Sequence, residues 1–525
     1  MSFFFSTEKL KLNSNHCNLS FDQEIQKVFE QFLSRLPSFL VYSSQVLSER
    51  LTQRVIEIGR LPFTLTSKYF YEKEEKSIPI GFKLDCGRAE IEIGSGVVSV
   101  SWKQWLYNQA EFILHWGYCF LNIFRIGFYK NSPPATLIFG IGEESLFIEK
   151  SDQRFVEYCR SGQIPPLKNG KWFLIQSFSG NISSNPSEFS YVKNPLLSLL
   201  SETRLGFLGR VELLLNHSIL IFLYSYLVFR FRSLSLIAKD FAYIAILDSL
   251  DKRQKIQEIY LTCSSFGIQP LWMRSLKNAE TNMIWYAQNW QPIVKLPEKK
   301  KSNIPFLRWI RVDRNWVWTH SFADYLKTLS PKAKIESVGP IVWYSPNASV
   351  KPPVDEIQIT VFDISPYSDE IALEYCEFPN YNRPANLNLF IEDILSLKTD
   401  LEKKYSLPVR VRLKTKRGYR SSYDRQYFDT LEKLDRKGGI NLLYHMADVF
   451  NVISESHFII VYPFSSPAYI AEHLKIPAIY YDPTSSILRW DFADSESWIH
   501  FAHSRKELES LSVRELNKSF AEDFS

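Results

Sequence analysis

The stretch His457-Phe-Ile-Ile-Val-Tyr-Pro-Phe-Ser-Ser-Pro-Ala-Tyr-Ile-Ala-Glu-His-Leu-Lys-Ile-Pro-Ala-Ile-Tyr-Tyr-Asp482 decides how this 525-residue chain is read. An apolar run, a turn, a short amphipathic segment and a second apolar run predict strand, turn, helix, strand, with both strands buried. Ser465 and Ser466 stand where the helix should begin. Backbone N–H groups and the positive end of the helix dipole meet there, so small hydroxylated residues either cap the helix, hold a phosphate oxygen, or do both.

The same alternation extends upstream. Strands are expected at 357–362, 409–413, 440–444, 458–462 and 478–481, and helices at 387–401, 424–434, 449–455 and 468–474. Strands alternating with helices of this length imply a doubly wound parallel sheet. The proline-rich Val350-Lys-Pro-Pro-Val-Asp355 reads as a linker before it. Residues 131–350 mix strands (136–140, 258–263, 283–287) with a helix at 316–329, and the first 130 residues look partly helical, at 22–40 and 43–58. Domains are therefore expected at 131–350 and 351–490, preceded by an N-terminal region and followed by a tail from 491.

Composition limits the function. Hydrophobic residues at 45% and charged residues at 23% suit a soluble globular protein of two or three domains. The net charge of +5 gives no ground for a nucleic-acid partner. Its distribution is uneven: residues 403–420 hold eight Lys or Arg and no acid. Six scattered cysteines without a CxxC pair, and no basic-then-apolar leader, predict reduced thiols in the cytoplasm. The apolar segments 112–124 and 218–229 are too short as read to span a bilayer, so buried helices are expected, with membrane-surface helices as the alternative.

In an open parallel sheet, ligands sit beyond the carboxyl ends of the strands. Four segments should meet there: Asp363-Ile-Ser-Pro366, Lys414-Thr-Lys-Arg417, Pro463-Phe-Ser-Ser466 and Tyr481-Asp482-Pro483. Lys414, Lys416 and Arg417 with Ser465 and Ser466 are the candidate phosphate-binding residues, and Asp363, His445 and Asp482 the other candidates for the crevice. The parity of Arg410, Arg412, Lys414 and Lys416 is equally that of an edge strand with a wet basic face. Glu143 and Glu144, just past an apolar strand, are candidate general bases or acids that stabilise a helix start. No GxxxxGK[ST], GxGxxG, GxSxG or HExxH pattern occurs, and no histidine and cysteine spacing suits zinc, so neither a metal nor a cofactor is expected.

On the turn Pro463–Ala471 and the strand Lys475–Asp482, the chain resembles glycosyltransferases of the GT-B fold, two Rossmann-like domains facing across a cleft. More narrowly it is similar to bacterial surface-polysaccharide biosynthesis proteins, through Phe139–Leu146, Ser151–Val156, Met283–Asn289, Leu413–Arg417 and the serine turn. Bacterial sialyltransferases of this fold use a paired serine at the donor phosphate. Their His-Pro motif is replaced here by Lys-Thr-Lys-Arg, and Ser145 stands where their acidic motif ends in glycine. The resemblance implies a nucleotide-sugar as co-substrate and a glycan or lipid-linked glycan as acceptor; the place expected from the cysteines and the N-terminus is the cytoplasm, with peripheral contact to the inner membrane as the alternative that the apolar segments allow. A sugar-nucleotide epimerase and a non-catalytic assembly protein are the competing expectations.

Overall fold

The computed structural model describes residues 26, 29, 30, 33, 44–58, 83–85, 90–92, 97–125, 134–139, 172–176, 189–192, 194–203, 205–262, 269–285, 310–330, 332–340, 351–367, 383–485 and 498–523. A small antiparallel meander, β1 (Lys83–Asp85), β2 (Glu90–Glu92) and β3 (Val97–Ser99), precedes two larger sheets, and both of these are parallel throughout.

The first large sheet contains β4 (Ala135–Phe139), β5 (Trp172–Gln176), β6 (Phe189–Val192), β7 (Ile256–Thr262), β8 (Glu280–Ile284), β9 (Arg314–Val317) and β10 (Lys334–Ser337), in the order β10-β9-β8-β7-β4-β5-β6. The second contains β11 (Ile357–Phe362), β12 (Val409–Lys414), β13 (Asn441–Leu443), β14 (Phe458–Val461), β15 (Ala478–Tyr481) and β16 (Ile499–Ala502), in the order β13-β12-β11-β14-β15-β16. In each, the first strand lies at the centre, the second and third step away on one side, and the later strands on the other. This is the doubly wound Rossmann order, repeated. The chain therefore has the expected α/β class, with two Rossmann-like domains.

Local chemistry explains the second sheet. All of β11 is buried, as a strand covered on both faces must be. Leu387, Phe390, Ile391, Ile394, Leu397 and Leu401 form the buried face of helix Pro384–Tyr405, which packs on β12. Asp424 and Asp448 cap the helices Arg425–Arg436 and Val449–Ser454 by accepting from the Tyr427 and Asn451 N–H groups. Lys475, at φ 58°, ends helix Pro467–Leu474 in the left-handed conformation.

Four expectations change. β12 is no edge strand: it lies between β11 and β13, and only Arg410 on it is exposed. Arg412 is buried, donating to the Thr360 hydroxyl (3.0 and 3.2 Å) and the Val452 carbonyl (2.6 Å) and pairing with Glu455. The helix expected at 316–329 is strand β9 followed by helix His320–Leu329, because Thr319 caps the Phe322 N–H and starts the helix afresh. The segment from 491 is not a tail. β16 is the sixth strand, and helix Arg505–Asp523 packs across it and on helix Pro384–Tyr405. Finally, 112–124 and 218–229 belong to two 24-residue helices, Trp102–Arg125 and Phe207–Arg230. Each buries one side only and leaves large apolar residues exposed on the other.

The two lobes approach one another just after β10. Gly339 follows β10, and a Cβ added there would lie 2.9 Å from Nδ1 of His473, on helix Pro467–Leu474.

Candidate functional site

The centre of the second sheet is its topological switch point, where the connections leaving β11 and β14 turn to opposite faces. The Tyr462 N–H donates to the Phe362 carbonyl at 2.9 Å, so Asp363 and Pro463 leave the sheet as neighbours. The crevice beyond these strand ends thus has Asp363 on one wall and the serine turn on the other.

Asp363 is 1% exposed and organises the loop after β12. Its Oδ1 accepts from the Lys416 backbone N–H at 2.6 Å and its Oδ2 from the Tyr427 hydroxyl at 2.9 Å. Burial raises its pKa to about 7, although both donors and the Lys414 and Lys416 ammonium groups oppose the rise. Lys414 is also buried, and its Nζ donates to the His445 carbonyl at 2.6 Å. Burial brings its pKa down to about 8 against the pull of Asp363 and Asp448. Lys414 is therefore a charge beneath the loop. Lys416 at the loop surface is exposed, Arg417 half-buried and Arg420 exposed.

The serine turn has a different construction. Ser465 is 6% exposed; its N–H donates to the Tyr462 carbonyl (3.2 Å) and its carbonyl accepts from the Tyr480 hydroxyl (2.9 Å). Its fold rests on main-chain bonds. Ser466 occupies the N-cap position of Pro467–Leu474, but its side chain makes no capping bond, and Pro467 begins the helix. The Ser466 hydroxyl is therefore not the cap that the sequence allowed as the plain explanation.

His445 and Asp482 are differently placed. The His445 ring is half-buried against Gly418, where an added Cβ would lie 2.9 Å from its Cε1. Its pKa is lowered by burial and then by the Lys414 and Arg420 charges. Asp482 follows β15 and is occupied locally, its Oδ1 accepting from the Thr484 N–H (2.9 Å) and hydroxyl (2.6 Å). Glu143 and Glu144 lie outside the described residues; the strand they follow, β4, ends at Phe139 beside β7, at the corresponding switch point of the first sheet. Tyr427 had no sequence signal as a site residue, because it is one apolar-face position of an amphipathic helix until folding brings it to Asp363.

A family model described as polysaccharide biosynthesis PFTS motif protein matches residues 221–512. No curated protein matches the chain. Among solved structures it is similar to sucrose-phosphate synthase from Thermosynechococcus elongatus (12% identity, 74% of this chain and 90% of that one, TM-score 0.39). It is also similar to the wall teichoic acid polymerase TagF (12%, 80% and 90%, 0.37) and to UDP-GlcNAc 2-epimerase from Methanocaldococcus jannaschii (10%, 73% and 91%, 0.37).

Proposed function

The chain belongs to the polysaccharide biosynthesis PFTS motif family, and we propose that it is a glycosyltransferase that moves a sugar from a nucleotide-activated donor to a growing bacterial surface glycan of the capsule or lipopolysaccharide kind. One observation carries the reading. Read as residues, the family's motif letters are Pro-Phe-Thr-Ser, and Pro463-Phe464-Ser465-Ser466 matches them within the matched range with a hydroxyl kept in third place. That tetrapeptide leaves the sheet at the switch point, where an α/β crevice takes its ligand.

In this reading Ser465, Ser466 and the start of helix Pro467–Leu474 hold the donor phosphate, and Lys416 and Arg417 stabilise negative charge on the departing nucleotide. Lys414 acts from beneath, through the loop. Glu143 or Glu144 would take the acceptor proton from the facing lobe. The acceptor would be a glycan or lipid-linked glycan, reached in the cytoplasm or at the cytoplasmic face of the inner membrane. The crevice carboxylates favour transfer over epimerisation. Asp363 is enclosed by its two donors and Asp482 by Thr484, so neither is presented to a sugar for proton exchange.

Thermal-shift titration with cytidine, uridine, guanosine and adenosine nucleotides tests the site. Stabilisation by one base class is expected, with about a tenfold to hundredfold weaker affinity when Ser465→Ala and Ser466→Ala are combined, since each hydroxyl–phosphate bond contributes about 1–1.5 kcal/mol. Unchanged affinity in a folded double variant would remove the serine turn from the site. Labelled donor with and without glycan acceptor then separates transfer from epimerisation.

A further inference from the structure

Fifteen of the nineteen exposed large hydrophobic side chains among the described residues lie on helices Trp102–Arg125 and Phe207–Arg230. The helices run antiparallel, side by side. Phe112 stacks on Tyr224 at 3.7 Å between centroids. Farther along, the Trp116 indole N–H donates to the His217 carbonyl (2.9 Å), and the His217 Nε2 lies 3.0 Å from the Trp116 carbonyl. On the second helix Leu208, Leu215, Phe222 and Phe229 recur every seven residues along the exposed side, and Phe222 and Phe229 are 76% and 78% exposed. Eight of the fifteen are aromatic, and at 150–250 Å² for a whole aromatic side chain these alone, each about half exposed or more, present roughly 1,000 Å², about twice the largest apolar patch of an ordinary monomer.

We infer that this two-helix face docks on a lipid bilayer, lying in the plane of an anionic membrane rather than crossing it. Residues 207–229 are long and apolar enough to span. However, Leu213, His217, Leu220, Tyr224 and Leu227 are buried along the whole length of the helix, which packs on Ala238–Lys252 and on its antiparallel neighbour. Crossing would strip that side from the lobe. Only the exposed side is available to lipid, to the depth of the headgroup and upper acyl region.

Charge selects the occupant. At one end of the pair Lys103 and Arg232 are exposed, with the Arg232 guanidinium 4.0 Å above the Trp102 ring. At the other end stand Arg210 and Arg253, with Glu212 paired to Arg253. A second copy docked about a two-fold axis would oppose one basic end with another. Anionic headgroups complement the exposed Lys103 and Arg232 end above all, each cation there contributing to attachment.

Flotation of the full chain with phosphatidylcholine vesicles, with or without one third phosphatidylglycerol, tests the inference. The wild type should float with the anionic vesicles, less so at high salt. F222S/F229S should reduce the bound fraction at least about tenfold, since each phenylalanine gives up its burial in lipid. Both side chains are largely exposed, so an unchanged melting temperature is expected. Wild type that stays in solution with both vesicle types, or binding that the double substitution does not alter, would overturn it. So would light scattering that finds a dimer in vesicle-free solution which F222S/F229S makes monomeric. Nucleotide-induced stabilisation is read on the same samples, so failure of docking is separable from failure of the transferase reading.

Discussion

Replacing Asp363 by Asn should change the pH dependence of stability more than stability itself. The wild-type carboxyl is buried, and its pKa goes from an ordinary 3.8 up to about 7. Between those values the folded state holds a proton that the unfolded state has released. The stability contributed by that proton is fully present below about pH 4 and is lost as pH climbs through 7. At about 1.4 kcal/mol for each pH unit, the interval amounts to about 4 kcal/mol. Asn carries no charge at any pH. Its oxygen can still accept from the Lys416 N–H, while its amide faces a Tyr427 hydroxyl that must turn from donor to acceptor. The variant should therefore be less stable than wild type by about 1 kcal/mol near pH 4.5, and should overtake it by pH 8. Urea unfolding at constant ionic strength, followed by tryptophan fluorescence from pH 4.5 to 8, reads the difference. Two curves that run parallel would refute the argument, because the carboxyl would then titrate normally.

Two further outcomes concern residues that hold the site in place. Arg412→Ala leaves the Val452 carbonyl and the Thr360 hydroxyl without their guanidinium donor and should cost about 3 kcal/mol in chemical denaturation; an effect below about 1 kcal/mol would contradict the buried network. Gly339→Ala places a Cβ at φ 80° and 2.9 Å from His473, so it should lower the melting temperature by an amount equivalent to about 2 kcal/mol, and an unchanged melt would show that the lobes do not meet as described.

The second lobe was legible because local and global signals agree in it. β11 and β15 fall where the apolar runs place them, each intervening helix carries its own apolar face, and two of them start on an Asp cap. The first lobe was much less so. β8 reads Glu-Thr-Asn-Met-Ile and β9 Arg-Asn-Trp-Val, and their polar residues are absorbed by partners that only the fold supplies: the Asn282 side chain accepts from the Trp316 indole and Asn315 from that of Trp285. At the site, the serine turn was visible from sequence order alone. The division of the basic run was not. Arg412 and Lys414 share parity with Arg410, yet the helix Val449–Ser454 and the loop at His445 cover them, leaving Arg410 to pair with Glu356 at the surface. Which side of a two-sided sheet is covered, and by what, is a tertiary matter that strand periodicity does not encode.

The contact between Gly339 and His473 has a mechanical consequence. His473 lies near one end of an eight-residue helix whose other end is the serine turn, about 12 Å away at 1.5 Å per residue. A helix that short is too stiff to absorb a displacement along its length. On the far lobe it meets bare main chain, which has no side chain to yield. A ligand held at the turn in the proposed reading would therefore lie one short, stiff helix away from the place where the lobes approach.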